Sequence, residues 1–301
     1  MTTVSAPARA ITNPAARRMD PRATRRAQRR RRLGWIADHA VAICVGIGFL
    51  APFVFIVLQS FMTSQQALTA DLWPQTWHPE NYLEVFSKAP MWTYLRNTLM
   101  YATIATALML LSSIPAAYAL SRLRWRGRNV AFVIVLMMMM LPPQVTQVPI
   151  YVMWTKLNLT GTLWPVILPN LLGDAFSIFL LRQFFLTIPQ EYSDAARVDG
   201  CSEFRVMTRV ILPMAKPGIA ATAMFMFFFC WNDFYGPLLY TSENSDNWTI
   251  SLGLASFRSL HQVQWNLTMA AAILAMLPVL IVFFFAQKIF VEGITLTGVK
   301  G

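Results

Sequence analysis

Charge is scarce in this 301-residue chain. Asp, Glu, Lys and Arg make up 13% of it, about half of the ~25% usual in a soluble domain. Hydrophobic residues make up 56% and the mean hydropathy is +0.46, which excludes an ordinary soluble globule. Only three histidines occur, His39, His78 and His261, far apart in the chain, so they form no ligand cluster. The three cysteines, Cys44, Cys201 and Cys230, are scattered and odd in number, which suits neither a disulfide framework nor a metal site. The phosphate-cradling pattern G-x-x-x-x-G-K-[ST] is missing, which excludes ATP binding by that route. No Ser/His/Asp arrangement has a supporting motif. The chain is therefore read as non-catalytic, with no cofactor or metal of its own.

What the chain does have is apolar length. Six segments come near the ~20 residues that a bilayer requires. They cover about 39–61, 97–120, 130–154, 164–186, 217–240 and 267–290. The expected fold class is all-α: a polytopic membrane protein with six transmembrane helices. Prolines 52, 115, 142, 143, 165, 169, 237 and 278 lie inside these segments. Such breaks are tolerated where neighbouring helices or a water-filled cavity satisfy the freed carbonyls, which favours a transporter-like bundle over a simple anchor. The run Met137–Met140 points all round a helix, so it reads as packing and lipid-facing surface rather than a soft-metal site.

The net charge of +11 is local: ten of the 25 basic residues are arginines within the first 32 residues. Residues 1–35 are expected to be a disordered Arg-rich cytoplasmic arm, and residues 36–301 the membrane domain. A cleaved signal does not fit, because the apolar stretch is too long and lacks a small-residue cleavage site. A nucleic-acid arm is disfavoured, since a basic flank is what holds the start of a first span inside the cell. With the N-terminus inside, 21 basic residues fall on inner regions, and only Lys88, Arg96, Lys156 and Arg258 on outer ones. That bias places both termini in the cytoplasm, together with the segment between the fourth and fifth spans.

That segment, Pro189–Pro213, is dense in charge: Glu191, Asp194, Arg197, Asp199, Glu203, Arg205 and Arg209. Thr187 and Gln190 have capping-box spacing with Pro189 in the first turn, which predicts a short helix from near Ile188. Gly200 should end it in the left-handed conformation. A second short helix is expected from about Ser202 to Val210, ahead of Pro213. Asp194 can pair with Arg197 at i,i+3, and a solvated amphipathic loop would need nothing more.

The order Asp194-Ala195-Ala196, three residues, Gly200, nine residues, Val210-Ile211-Leu212-Pro213 resembles the cytoplasmic "EAA" loop of ABC importer permeases, E-A-A-x3-G-x9-I-x-L-P. Asp194 stands for the usual Glu and Val210 for Ile. Other stretches look like the carbohydrate-uptake branch, the relatives of the smaller maltose-permease subunit. These are Asn81-Tyr82, Asn97-Thr98, Pro115–Leu120 with Arg122 and Gly127, Phe179–Phe185, Trp231-Asn232-Asp233 and the ending Gly298-Val299-Lys300-Gly301. The resemblance covers about residues 36–301.

It implies a type I importer permease fold with a coupling loop at about 187–213. Glu191, Asp194, Ala195, Ala196, Gly200, Leu212 and Pro213 would meet an ATPase. It also implies partners: a homologous six-span permease, two ABC ATPase subunits that bind ATP and Mg, and an extracytoplasmic binding protein that delivers a sugar-like solute. The site would be a bacterial cytoplasmic membrane. Asp174 and Asp233 stand out because carboxylates at membrane depth are costly and usually face a cavity or a partner. Asp174 is about 12 Å by helical rise from Arg182, too far for a direct pair. Trp231, Asn232 and Asp233 offer a ring, an amide and a carboxylate suited to a sugar, and with Asp174 they are candidate pathway residues. The competing reading for both carboxylates is structural; for Asp233 it is the cap of a kink with Gly236 and Pro237. At the level of function, a self-contained secondary carrier using Asp174 or Asp233, or a membrane-tethered regulator using the Arg arm, remain the alternatives.

Overall fold

The computed structural model describes residues 21–69, 71–257 and 264–298. Residues 1–20 of the expected arm, Arg258, His261 and the ending Val299–Gly301 lie outside the described residues. Among the described residues there is no strand. The chain divides into two compact units, Met1–Phe55 and Ile56–Gly301.

The first unit is most of helix α1, Pro21–Ser60. The backbone of residues 21–35, expected to be without structure, is helical. Arginine, alanine and glutamine are good helix formers, and an adjoining apolar helix removes the cost of nucleation.

The second unit holds the other helices. Helix α2 is Asn81–Lys88 and α3 is Met91–Ser121. Helices α4, Arg128–Met140, and α5, Pro143–Lys156, follow. Helix α6, Trp164–Ile167, runs through a 3-10 turn, Leu168–Leu172, to α7, Ala175–Thr187. Helices α8, Gln190–Val198, α9, Glu203–Arg205, and α10, Leu212–Met214, make the charged segment. Then come α11, Lys216–Asn232, α12, Tyr235–Thr241, α13, Ile250–Ser256, and α14, Trp265–Gly298.

Helix α3 is the centre of this unit, with α7 and α11 packed along it. Small residues permit the approach: Ala102, Ala105 and Ala117 are fully buried. Gly218 of α11 does the same against α7, since a β-carbon there would lie 2.4 Å from Phe184 Cγ. The core falls into three clusters, around Tyr94 and Trp231, around Tyr101 and Cys230, and around Tyr118 and Phe185.

Among the described residues, four helices are long and apolar enough to cross a membrane: Gly34–Ser60, Met91–Ser121, Trp164–Thr187 and Trp265–Phe285. The number rises to as many as six if each of two bent pairs is one span. One pair is Arg128–Met140 with Gln144–Lys156, bent by 92°. The expected segment 130–154 is folded at Leu141-Pro142-Pro143, where two adjacent prolines remove two helix donors and exclude the helical conformation before each of them. The other pair is Glu203–Met214 with Lys216–Asn232, bent by 81°. The expected segment 217–240 is likewise interrupted, at Asp233 and Phe234, between α11 and α12.

Candidate functional site

The segment between α7 and α11 is a helix–turn–helix. Helix α8 starts at Gln190, after Pro189, which has no N–H to leave unpaired. Thr187 does not cap it. That residue closes α7 instead, its hydroxyl donating back to the Phe184 carbonyl at 2.7 Å. Gly200 takes φ +79° and turns the chain after α8. The second arm is longer than expected. It passes from α9 through a π-helical stretch, Val206–Ile211, into α10, and so runs past Pro213. The wider π turn leaves room for a residue with no amide N–H.

Arg197 ties the two arms together. Its guanidinium donates to Asp194 Oδ1 and to Glu203 Oε1, both at 2.7 Å. The hydrogen bond with Glu203 is the main reason its pKa is raised. The last turn of α3 holds the whole segment from the side. Tyr118 donates to Glu203 Oε2 at 2.6 Å. Arg122, just beyond α3, is only 3% exposed. It donates to the carbonyls of Phe185 and Ile188 and, at 3.0 Å, to Gln190 Oε1. Among the described residues no carboxylate forms an ion pair with it, so its charge rests on carbonyl dipoles at the end of α7, and burial pulls its pKa below the ordinary value. A cleft of about 660 Å³ opens beside this clamp, lined by Arg122, Arg124, Gln190, Asp194 and Arg197 among others.

The motif residues lie where a partner can reach them. Glu191, Asp194, Ala195, Gly200 and Pro213 are exposed, while Ala196 and Leu212 are half-buried. Three apolar neighbours are exposed beside them, Tyr192 at 52%, Val198 at 87% and Phe204 at 70%. Sequence reasoning missed this trio, although their place among charged residues in an amphipathic segment was the available signal. It also missed the clamping roles of Tyr118 and Arg122, which pair with residues more than 60 positions away.

The membrane-depth residues are not brought into one site. Asp174 caps α7: its Oδ2 accepts from Ser177 N–H at 2.7 Å, and its own N–H donates to Ser113 Oγ at 3.2 Å. It lines a cavity of about 380 Å³ with Asn170, Ser177 and Phe225. Arg182 is engaged elsewhere, donating to the Leu120 carbonyl at 3.1 Å and lying 3.8 Å over the Phe132 ring. Asp233 sits at the break between α11 and α12. Its Oδ1 accepts from Gly236 N–H at 3.0 Å and its Oδ2 from Tyr101 O–H at 2.9 Å. Asn232 is exposed and donates to the Phe228 carbonyl. Trp231 is 3% exposed, with its indole N–H on the Ala275 carbonyl at 3.2 Å. Its ring packs in the core on Phe227. Among the described residues no group of three or more His, Cys, Asp or Glu could hold a metal ion.

Comparison with known proteins gives this geometry a context. The family described as binding-protein-dependent transport system inner membrane component matches residues 109–296. The arabinooligosaccharides transport system permease protein AraQ of Halalkalibacterium halodurans is 32% identical over 269 residues, 86% of this chain and 96% of that protein. The diacetylchitobiose uptake system permease protein DasC of Streptomyces coelicolor is 30% identical, over 89% of this chain and 98% of that protein. In structure, the chain is similar to one in a bacterial ABC transporter involved in import of the acidic polysaccharide alginate. There the TM-score is 0.74 at 22% identity, covering 85% of this chain and 96% of that one. A self-contained carrier is thereby set aside, and ATP hydrolysis belongs to a separate subunit of such systems. With its multi-pass helical fold and its matched loop, the chain belongs to the binding-protein-dependent transport system inner membrane component family, the permease subunits of ABC importers.

Proposed function

We propose that the chain imports a sugar or sugar-like solute as one half of a heteromeric permease, with both termini in the cytoplasm. A second homologous permease completes the pathway, two ATPase subunits bind ATP and Mg, and an extracytoplasmic protein delivers the solute. The observation that carries this reading is the exposed helix–turn–helix with Gly200 at φ +79°. It presents Glu191, Asp194 and Ala195 beside exposed Tyr192, Val198 and Phe204. Small residues with apolar flanks and a charged rim suit a protein groove. The solute class is supported by the relatives named for arabinooligosaccharide and diacetylchitobiose transport.

The stroke passes through named contacts. When the ATPase subunits close on ATP, the loop moves with them. Arg122 and Tyr118 tie it to the end of α3, and α3 carries α7 and α11, so the displacement reaches the pathway as a rigid-body movement. Asp174 and Asn232 are the pathway residues of this half, with Asp233 and Trp231 shaping the break beside them. Uptake of radiolabelled maltose, cellobiose, arabinotriose and diacetylchitobiose by a deletion strain and its complemented parent tests the solute class. Equal uptake of all four in both strains overturns it. A single cysteine at the exposed Ser245 should react with an impermeant thiol reagent from outside, and one at the exposed Asn129 should not. The reverse pattern overturns the orientation.

A further inference from the structure

Two broken spans meet at one place. Helix α5 begins at the 92° bend after α4, and α12 begins at the break after α11. They are joined by Gln147, whose side-chain amide donates to the Tyr235 hydroxyl. Toward the other end of the same pair of helices, the rings of Tyr151 and Tyr240 stack with centroids 5.8 Å apart and planes 21° from parallel. Gln144, Gln147 and Tyr151 are spaced i, i+3, i+7, so they form one stripe along α5. The neighbouring stripe, Val145, Val148 and Val152, is exposed and wholly apolar, as a lipid-facing stripe should be. Tyr235 is 56% exposed. Gln144 and Tyr151 are exposed as well, and amide and phenol groups turned to hydrocarbon are costly, which argues that the polar stripe faces an aqueous cavity.

We infer that Gln147, Tyr151, Tyr235 and Tyr240 form a saccharide-binding wall on this chain, running along the α5–α12 pair. This rests on the proposed function above and deepens it. The chemistry fits a pyranose or furanose ring. Its C–H face is apolar and sits on a phenol ring, while its hydroxyls exchange hydrogen bonds with the amide and phenol groups that fix orientation. The wall also supplies the aromatic platform that Trp231, locked in the core, does not. Tyr151 and Tyr240 lie beyond Gln147 and Tyr235 along the two helices, so a chain of two or more sugar units can span both pairs.

The test uses the complete transporter in a deletion strain, with radiolabelled maltose, cellobiose, arabinotriose and diacetylchitobiose as probes. For the best-transported sugar, Gln147→Ala and Tyr151→Ala should raise the KM for uptake about tenfold, the worth of one or two lost hydrogen bonds or a lost ring contact. Maximal velocity should stay within about twofold, as expected for lost binding rather than lost turnover. The ranking of the four sugars should change. Tyr151→Phe should restore the KM, and Val148→Ala should leave it unchanged. Where an alanine variant fails to assemble, Gln147→Cys with a methanethiosulfonate reagent gives an independent reading: a saturating concentration of the transported sugar should slow its modification. Unchanged KM and ranking in assembled variants overturn the wall while leaving sugar import intact, and so does a cysteine at 147 that the sugar never protects. No uptake of any of the four sugars by the wild type overturns the sugar reading and the wall with it.

Discussion

In the loop between α7 and α11, the carboxylates of Asp194 and Glu203 meet across one guanidinium, Arg197. At the break between α11 and α12, the carboxylate of Asp233 accepts from a backbone N–H and a phenol. The difference follows from solvent. In the loop the side chains of Arg197, Asp194 and Glu203 are 29%, 59% and 46% exposed, so water screens the charges and the pairs set geometry more than stability. At membrane depth a second charge would need its own desolvation. The carboxylate is held instead by dipoles that the fold already places there, and Asp174 is treated in the same way by Ser177 N–H. A conspicuous carboxylate in an apolar span is thus no sign of a charge partner; here it marks where a helix restarts.

The largest effect should come from removing the clamp that the loop receives from α3. Arg122→Leu leaves the Ile188 carbonyl without its donor in a buried place, at about 1–3 kcal/mol, and takes one of two donors from the Phe185 carbonyl, which keeps the Ile188 N–H at 3.2 Å. The purified complex should melt at a lower temperature, and limited proteolysis should cut within 187–213 faster than in the wild type. Unchanged cleavage would mean that the loop holds its own shape and that only its ion pairs matter. At the break, Asp233→Ala removes an N-terminal cap, worth about 1 kcal/mol, and takes from the Tyr101 hydroxyl its carboxylate acceptor, at about 1–3 kcal/mol. Asp233→Asn keeps an acceptor for Gly236 and a group for Tyr101, so it should retain most of the wild-type thermal stability. If the asparagine variant melts as low as the alanine variant, the charge itself is needed and the contrast between the two regions fails.

Next in size is Gly200→Val. A β-carbon there meets nothing within 4 Å, so the cost is purely that of forcing φ +79° on a β-branched residue, about 1–3 kcal/mol. The protein should reach the membrane while its ATPase subunits co-purify poorly and uptake is lost. Gly200→Asn should recover most of the uptake, because asparagine tolerates the left-handed region. Solute-stimulated ATP hydrolysis at the wild-type level in Gly200→Val would separate this turn from coupling.

Local rules made the loop legible in the sequence. The positive φ at Gly200 and the pairing of Asp194 with Arg197 both follow from neighbours a few residues apart. The apolar segments were legible for the same reason, as composition within a window. What failed was anything needing knowledge of which segments touch. Thr187 has the spacing of a cap, but α7 still continues through it. Pro142 and Pro143 announced a break without saying that the two halves would lie at 92°. Trp231 has the look of a sugar platform, yet α14 supplies the Ala275 carbonyl that draws its indole inward. Arg122 reads as one more inner positive charge, and only the end of α7 makes it a buried clamp.

The smallest stability effect, and the sharpest test of what the exposed pairs are for, is Asp194→Glu, which restores the residue usual in the motif. A glutamate at 194 can still reach Arg197 at i+3, and Arg197 keeps Glu203 in any case, so unfolding should shift by no more than about 0.5 kcal/mol. If the carboxylate at 194 serves the partner ATPase, the extra methylene should leave co-purification of the ATPase equal or better, whereas Asp194→Ala should weaken it. If instead its role is to set the angle between α8 and α9 through Arg197, the longer side chain should disturb coupling as the alanine does. Glu203→Gln, which loosens the same guanidinium from the other arm, should then reproduce the defect. Under the first reading, Glu203→Gln leaves co-purification intact. The two outcomes differ in the bound ATPase per permease in a single affinity purification, and they decide whether the motif's acidic residue acts outward on the ATPase or inward on the turn.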